Sequence, residues 1–281
     1  MRAILQAVLL GASLVFGLGA VQATPEEDRK AFQNFYKERF PDVPFEDFAN
    51  GIYAIDKSRR VEWELMEEFP PYEFDIDVGE ELFHTPFANG KSMADCFPDY
   101  ESGIRQNYPY WDRELGEVVT MEWAINLCRE EHGEKPLKYN KGPLAQISAY
   151  LAFLSRGQII DVKVPADDPG ALAAYEAGKK FYYSKRGQLN FACSTCHMQA
   201  PGMNLRSDLL GPALGQVSHF PAYRKKSTWQ GIGTLHRRYG GCNRQVRAAS
   251  FKPQSRTYRT LEYFHTYMSN GIPLNGPGSR Q

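Results

Sequence analysis

Cys193-Ser194-Thr195-Cys196-His197 places two thiols and an imidazole within five consecutive residues. Thiols at this spacing can reach the two vinyl groups of one haem, and the adjoining histidine can take its iron, all on one helical turn. A thioredoxin-like redox pair would expect a βαβ setting and would leave His197 without a role. A structural zinc site would need further ligands at orderly spacing. The stretch therefore predicts one covalently attached haem c, held through Cys193 and Cys196 with His197 as an axial ligand.

Outward from this motif the chain reads as a diverged internal duplication. Gly79 begins a helical segment 17 positions before Cys96, and Gly178 begins one 18 positions before Cys196. Cys128 precedes Gly157 by 29 positions, and Cys242 precedes Gly271 by 29. Tyr150, Phe153, Leu154 and Ser155 match Phe264, Tyr267, Met268 and Ser269 in character. Apolar residues at three- and four-residue spacing before a glycine describe an amphipathic helix and its stop. The fold class expected is mainly α, with two cytochrome c-like domains and an N-terminal extension. The divisions are residues 24–74 for the extension, 75–164 for a haemless first domain and 165–281 for the haem domain. Val164–Gly170 reads as the linker, and Pro273–Gln281 as a tail with little regular structure.

Superposing the copies puts Cys96 on Cys196, Met93 on Cys193 and Phe97 on His197. The first copy thus lacks a thioether cysteine and a proximal histidine. Its remaining cysteines, Cys96 and Cys128, are expected to form a disulfide closing a loop of about 30 residues. Cys242 is then the unpaired fifth cysteine, at the position matching Cys128. It lies among Arg237, Arg238 and Arg244, and cationic neighbours favour a thiolate. Cys242 is expected as the second axial ligand to iron. Met203, His219, His236 and His265 are alternatives. Met198 adjoins His197 and cannot reach around the ring, and Met268 aligns with Leu154 and reads as core.

The N-terminus fixes the compartment. Arg2 precedes an apolar run from Ala3 to Gly19, and Ala20-Val21-Gln22-Ala23 offers a small-residue cleavage site. Residues 1–23 read as a secretory signal peptide, which implies export to an oxidising compartment. No other stretch approaches membrane-spanning length. The formal net charge is zero, but residues 191–281 hold twelve Lys/Arg against Asp208 and Glu262. That basic segment suits an anionic ligand or partner, or attraction to the acidic remainder. No nucleic-acid-binding motif is present, so nucleic acid is not an expected partner.

With the haemless first domain, the Cys193–His197 motif and the segment Arg237–Ala248 in place, the chain resembles SoxA. That family is the catalytic c-type cytochrome subunit of the SoxAX complex of bacterial thiosulfate oxidation, and the resemblance covers essentially the whole mature chain. It implies oxidative transfer of thiosulfate onto the cysteine of a SoxYZ-like carrier protein, the activity of an L-cysteine S-thiosulfotransferase. It further implies that Cys242 carries a persulfide and is catalytic, and that Arg238 binds the sulfur substrate. Electrons would pass to a small SoxX-like cytochrome c in a heterodimer. Some members hold two haems; Met93 and Phe97 align this chain with the monohaem type. Two other readings stand beside this one: a plain electron-transfer cytochrome, and a thiosulfate dehydrogenase that forms tetrathionate.

Overall fold

The helices that start at Pro25, Lys57, Met121 and Pro169 begin where a side chain accepts the first unpaired backbone N–H groups. The computed structural model describes residues 23–206, 208–224, 229 and 231–280, so the expected signal segment lies outside them apart from Ala23. Helix α1 (Pro25–Arg39) starts with a capping box. The Thr24 hydroxyl accepts from Glu27 N while the Glu27 carboxylate accepts from Thr24 N at 2.8 Å, and Pro25 occupies the first turn. A 3-10 segment, Glu46–Ala54, leads to α2 (Lys57–Glu67), which Asp56 caps. Helices α3 (Glu73–His84) and α4 (Met93–Cys96) follow, then the antiparallel hairpin β1 (Tyr110–Asp112) and β2 (Glu117–Val119). Next come α5 (Met121–Glu131), α6 (Pro143–Leu154) and α7 (Pro169–Tyr183). A short hairpin pairs β3 (Asn204–Leu205) with β4 (Asp208–Leu209). The chain then runs through β5 (Ala222–Arg224), β6 (Gly231–Gly233), α8 (Leu235–Gln245), α9 (Arg256–Met268) and β7 (Gly278–Ser279). Among the described residues no helix is long and apolar enough to cross a membrane.

The fold is mainly α and is organised around two equivalent helix crossings. Helix α3 packs on α6 at Gly79, where an added β-carbon would lie 2.1 Å from Gln146 O. Helix α7 packs on α9 at Gly178, where it would lie 2.0 Å from Thr260 O and 2.8 Å from Phe264 Cβ. Backbones approach this closely only where no side chain intervenes. The register extends further: α5 and α8 each have 11 residues, follow Thr120 and Thr234, and hold Cys128 and Cys242 at matching positions. A buried polar pair is conserved in place but not in kind. Ser148 Oγ donates to Glu122 at 2.7 Å in the first copy, and His236 lies 3.0 Å from Glu262 in the second.

The two copies fill their centres differently. In the first, a Cys96–Cys128 disulfide ties α4 to α5, with the Cα atoms 6.0 Å apart. Phe83 packs against Tyr100, Tyr150 and Phe97 at ring distances of 4.7, 5.5 and 6.2 Å. Met93 and Phe97, which stand where the second copy has Cys193 and His197, are buried in this core. The second copy keeps an open cavity at the corresponding place.

The N-terminal extension belongs to the second core. Phe32, Tyr36 and Phe48 pack with Tyr182, Leu261 and Phe264, and Gln33 Nε2 donates to Met268 O and Asn270 O. The expected linker Val164–Gly170 ends in a helix start, because Asp168 caps α7 through Gly170 N and Ala171 N. The tail differs from the expectation of little regular structure. Gly278–Ser279 forms β7, parallel to β5 in a sheet of order β6-β5-β7. Two-residue strands rich in glycine carry no periodic signal, so backbone pairing to a distant strand decides them.

Two outcomes follow from this packing. Gly178→Ala should lower the unfolding free energy by about 1–3 kcal/mol or more, since backbone as well as side chain must move; urea denaturation monitored by far-UV circular dichroism measures it. Replacing both Cys96 and Cys128 by Ser should cost about 3 kcal/mol for a loop of this length. Non-reducing peptide mapping of the unsubstituted chain should recover the cross-link, with no alkylatable thiol at either position.

Candidate active site

The Cys193–His197 stretch folds as a short helix that widens into a π-type turn over Thr195–Gln199, rather than the plain helical turn expected from spacing. Ala192 N donates to Thr195 Oγ1 at 3.1 Å and fixes the start of the turn. His197 is buried, and its Nδ1 lies 2.9 Å from Gly211 O. A carbonyl can only accept, so this bond puts the proton on Nδ1 and leaves the Nε2 lone pair free for a metal. The histidine's own carbonyl accepts from Tyr36 Oη at 2.7 Å and from Ala213 N at 3.2 Å. Tyr36, fully buried in α1, also accepts from Ala213 N at 3.2 Å. Sequence reading did not single out Tyr36, and nothing local marks it: its partners lie more than 160 residues away.

Cys242 comes from α8. Asn243 anchors that helix by donating to Tyr239 O at 3.1 Å and Tyr258 Oη at 2.7 Å. The Cys242 side chain lies beside His197 and has Arg238 one helical turn earlier. Burial alone would raise its thiol. The charge of Arg238, the contact with His197 and the charge of Arg224 outweigh it and bring Cys242 down to about 6. Burial pushes Cys193 up to about 11 and raises Cys196 as well. Of these three thiols, Cys242 is the anion at neutral pH.

All four residues, Cys193, Cys196, His197 and Cys242, line one cavity of about 860 Å³. Its walls include Tyr182, Phe220, Leu235 and Leu261. Two thiols for covalent attachment, an imidazole with Nε2 free and a thiolate form the donor set a haem c requires. The residues present fit that group. The alternative ligands are placed or engaged elsewhere, and His219 lines a neighbouring cavity rather than this one. Met203 is 63% exposed, and Met268 is buried in the core away from the cavity lining. His265 borders the cavity, but Tyr239 Oη and Ala213 O occupy its two nitrogens at 3.1 and 3.2 Å, and burial pushes it down to about 3. His236 takes Gln254 N at 3.0 Å and faces Glu262.

An outer vestibule of about 810 Å³ adjoins this cavity, lined by Arg206, Arg237, Arg244 and Trp229. It meets the inner cavity at Arg238, Asp208 and Gln245. The buried Asp208 carboxylate lies 3.7 Å from Arg238, accepts from Arg224 at 3.0 Å and from Gln245 Nε2 at 3.0 Å. It braces Arg238 at the junction. Arg237 is committed to Trp229, whose ring lies 4.3 Å from its guanidinium, and Arg244 reaches Ser250 Oγ at 3.4 Å. Asp208 and Arg224 carried no motif in the sequence, and only the fold brings them to Cys242 and to Gln245, which lies in the Arg237–Ala248 segment.

Residues 78–160 match a family model described as SoxA/TsdA, cytochrome c domain. The chain is 57% identical to L-cysteine S-thiosulfotransferase subunit SoxA of Allochromatium vinosum, over 98% of this chain and 96% of that one. It is 54% identical to the protein of the same name from Chlorobaculum tepidum, over 92% of this chain and 89% of that one. The crystal structure of SoxXA from P. pantotrophus resembles it with a TM-score of 0.68 at 30% identity, covering 75% of this chain and 79% of that chain. With near-complete coverage and identities above half, this chain belongs to the family of L-cysteine S-thiosulfotransferase subunit SoxA.

Proposed function

We propose that this chain transfers thiosulfate oxidatively onto the cysteine of a sulfur-carrier protein, in the periplasm, as the catalytic partner of a small SoxX-like cytochrome c. The observation that carries the reading is Cys242: a buried thiolate held between His197 and Arg238, in the cavity that both motif cysteines line. One haem c would be held covalently by Cys193 and Cys196, with His197 Nε2 and the Cys242 sulfur as the groups that would hold its iron. When bound, it supplies a redox centre beside the Cys242 sulfur, whose thiolate favours the ferric state. The names of the relatives support the transferase over a plain electron carrier.

The chain's own residues account for the rest. The arginine-lined vestibule gathers a dianion, and Arg238, braced by Asp208, receives its sulfonate oxygens. The sulfane sulfur then lies toward Cys242, which carries a persulfide. Loss of two electrons to the partner cytochrome joins the outer persulfide sulfur to the sulfane sulfur. The carrier thiolate attacks that sulfane sulfur and releases the Cys242 persulfide unchanged. Thiosulfate and a carrier thiol give a thiosulfonate-capped disulfide on the carrier, one proton and two electrons. The carrier cysteine loses its proton, a new S–S bond forms, and the electrons pass to the partner cytochrome.

A pyridine haemochrome assay should find one haem per chain, and Cys193→Ser with Cys196→Ser should abolish covalent haem. The ferric EPR spectrum should carry a low-spin His/thiolate signature that Cys242→Met removes. An unchanged spectrum would take Cys242 off the iron.

Turnover tests the catalytic assignment. A charge-assisted hydrogen bond to the substrate contributes roughly 1.5–3 kcal/mol, so Arg238→Ala should lower kcat/KM for thiosulfate by about 10- to 150-fold. Cys242→Ala should abolish conjugate formation on a carrier thiol while haem stays attached. Conjugation at the normal rate in Cys242→Ala would return the chain to a simple electron-transfer role.

A further inference from the structure

Beyond Arg238 lies a second cavity of about 900 Å³, contiguous with the first through Gln216, Phe220 and Arg238. Arg59, Arg224 and Arg280 complete its cationic lining, and no Asp or Glu lines it among the described residues. His219 is only 5% exposed, and its Nδ1 has no hydrogen-bond partner among the described residues. Arg280 donates from Nη1 to Ser279 O at 2.6 Å, but its buried Nε and Nη2 are equally without partners there. Its guanidinium lies 5.1 Å from the Tyr53 ring and 5.5 Å from Trp63, which holds it in place. The carboxylate that influences it, Glu67, already takes Trp63 Nε1, Tyr72 Oη and Ser279 N.

Two glycines lie against these groups. A β-carbon at Gly51 would come within 3.4 Å of His219 Cε1 and 3.8 Å of Arg280 Nε. One at Gly278 would lie 3.1 Å from Arg280 Nη1. A buried guanidinium with idle donors costs several kcal/mol unless a counter-charge meets it. The tail that delivers Arg280 is itself locked by β7 and by Arg280 N donating to Tyr223 O at 2.8 Å. The cavity is therefore a built site whose donors await acceptors.

We propose that this second cavity is an oxyanion pocket in which Arg280 and His219, with Arg224 and Arg238, bind carboxylate or sulfur-oxyanion oxygens. Two sources carry that chemistry. One is the pair of propionate carboxylates of a haem seated in the adjoining cavity, and this source rests on the haem reading above. The other is a free sulfur oxyanion entering past Arg59, whose side chain is 41% exposed.

The test uses the haem-loaded protein, with haem per chain measured first, and the variants Arg280→Gln, Arg280→Lys and His219→Gln. Haem reduction potentials are measured without and with sulfate, and sulfate binding is titrated calorimetrically. If propionates fill the pocket, Arg280→Gln lowers the potential in sulfate-free buffer. Arg280→Lys keeps it close to that of the unsubstituted chain, and sulfate has no effect. If the anion is free, sulfate binds saturably, and Arg280→Gln and His219→Gln each weaken it roughly tenfold or more. Potentials unmoved by either substitution, with no saturable sulfate binding, overturn the proposal. A chain found without haem would overturn the haem reading alone, because the sulfate titration still reads the pocket.

Discussion

A thiolate buried in an apolar cavity has to be met by positive charge, and the second half of this protein is arranged around that requirement at Cys242. Burial opposes ionisation, while Arg238, His197 and Arg224 favour it and prevail. Arg238 cannot serve alone, since a long cationic side chain at a cavity junction needs to be fixed. Asp208 fixes it, and Gln245 and Arg224 fix Asp208 in turn. The outcome is a graded series of cations from the outer vestibule inward, with the Cys242 sulfur at its end. In the proposed reaction the same gradient that ionises Cys242 also draws in a dianionic substrate.

The duplicated scaffold makes this arrangement possible and shows what it replaced. Two helix pairs cross at Gly79 and Gly178 with the same backbone approach, so both copies present an inner helix at the same depth. In the first copy Cys128 on that helix is spent on a disulfide with Cys96, and aromatic rings close the centre. In the second copy Cys242 forms no disulfide and lines one cavity with Cys193, Cys196 and His197. The buried pairs Glu122–Ser148 and His236–Glu262 show the same drift: one position, different chemistry, each partnered. Divergence altered which groups fill the sites, while the backbone register persisted because the glycine crossings tolerate no side chain.

The chain's two ends complete the haem half from opposite sides. Tyr36 on α1 holds the carbonyl of His197 and the amide of Ala213, orienting the loop whose Gly211 carbonyl sets the histidine tautomer. The C-terminal tail adds β7 to β5 and carries Arg280 under the cavity junction. Neither segment has a core without the rest of the second half, which is why the N-terminal extension is continuous with the second core.

What the sequence by itself determined were the features whose information is local. Cys193 to His197 declares the attachment chemistry within five residues. The spacing from Cys128 to Gly157 and from Cys242 to Gly271 marks two similar helical units, and Met93 and Phe97 stand where the second has Cys193 and His197. Helix starts at Thr24, Asp56, Thr120 and Asp168 follow from capping side chains that act within three residues. Only the tertiary structure decided which distant groups meet the site. Tyr36, Asp208, Arg224 and Arg280 carry no local signal, because a single tyrosine, aspartate or arginine in a polar stretch reads the same whether it faces water or a buried partner. Their roles come from long-range contacts, such as the 161-residue separation between Tyr36 and His197, and such contacts are set by packing rather than by any pattern along the chain.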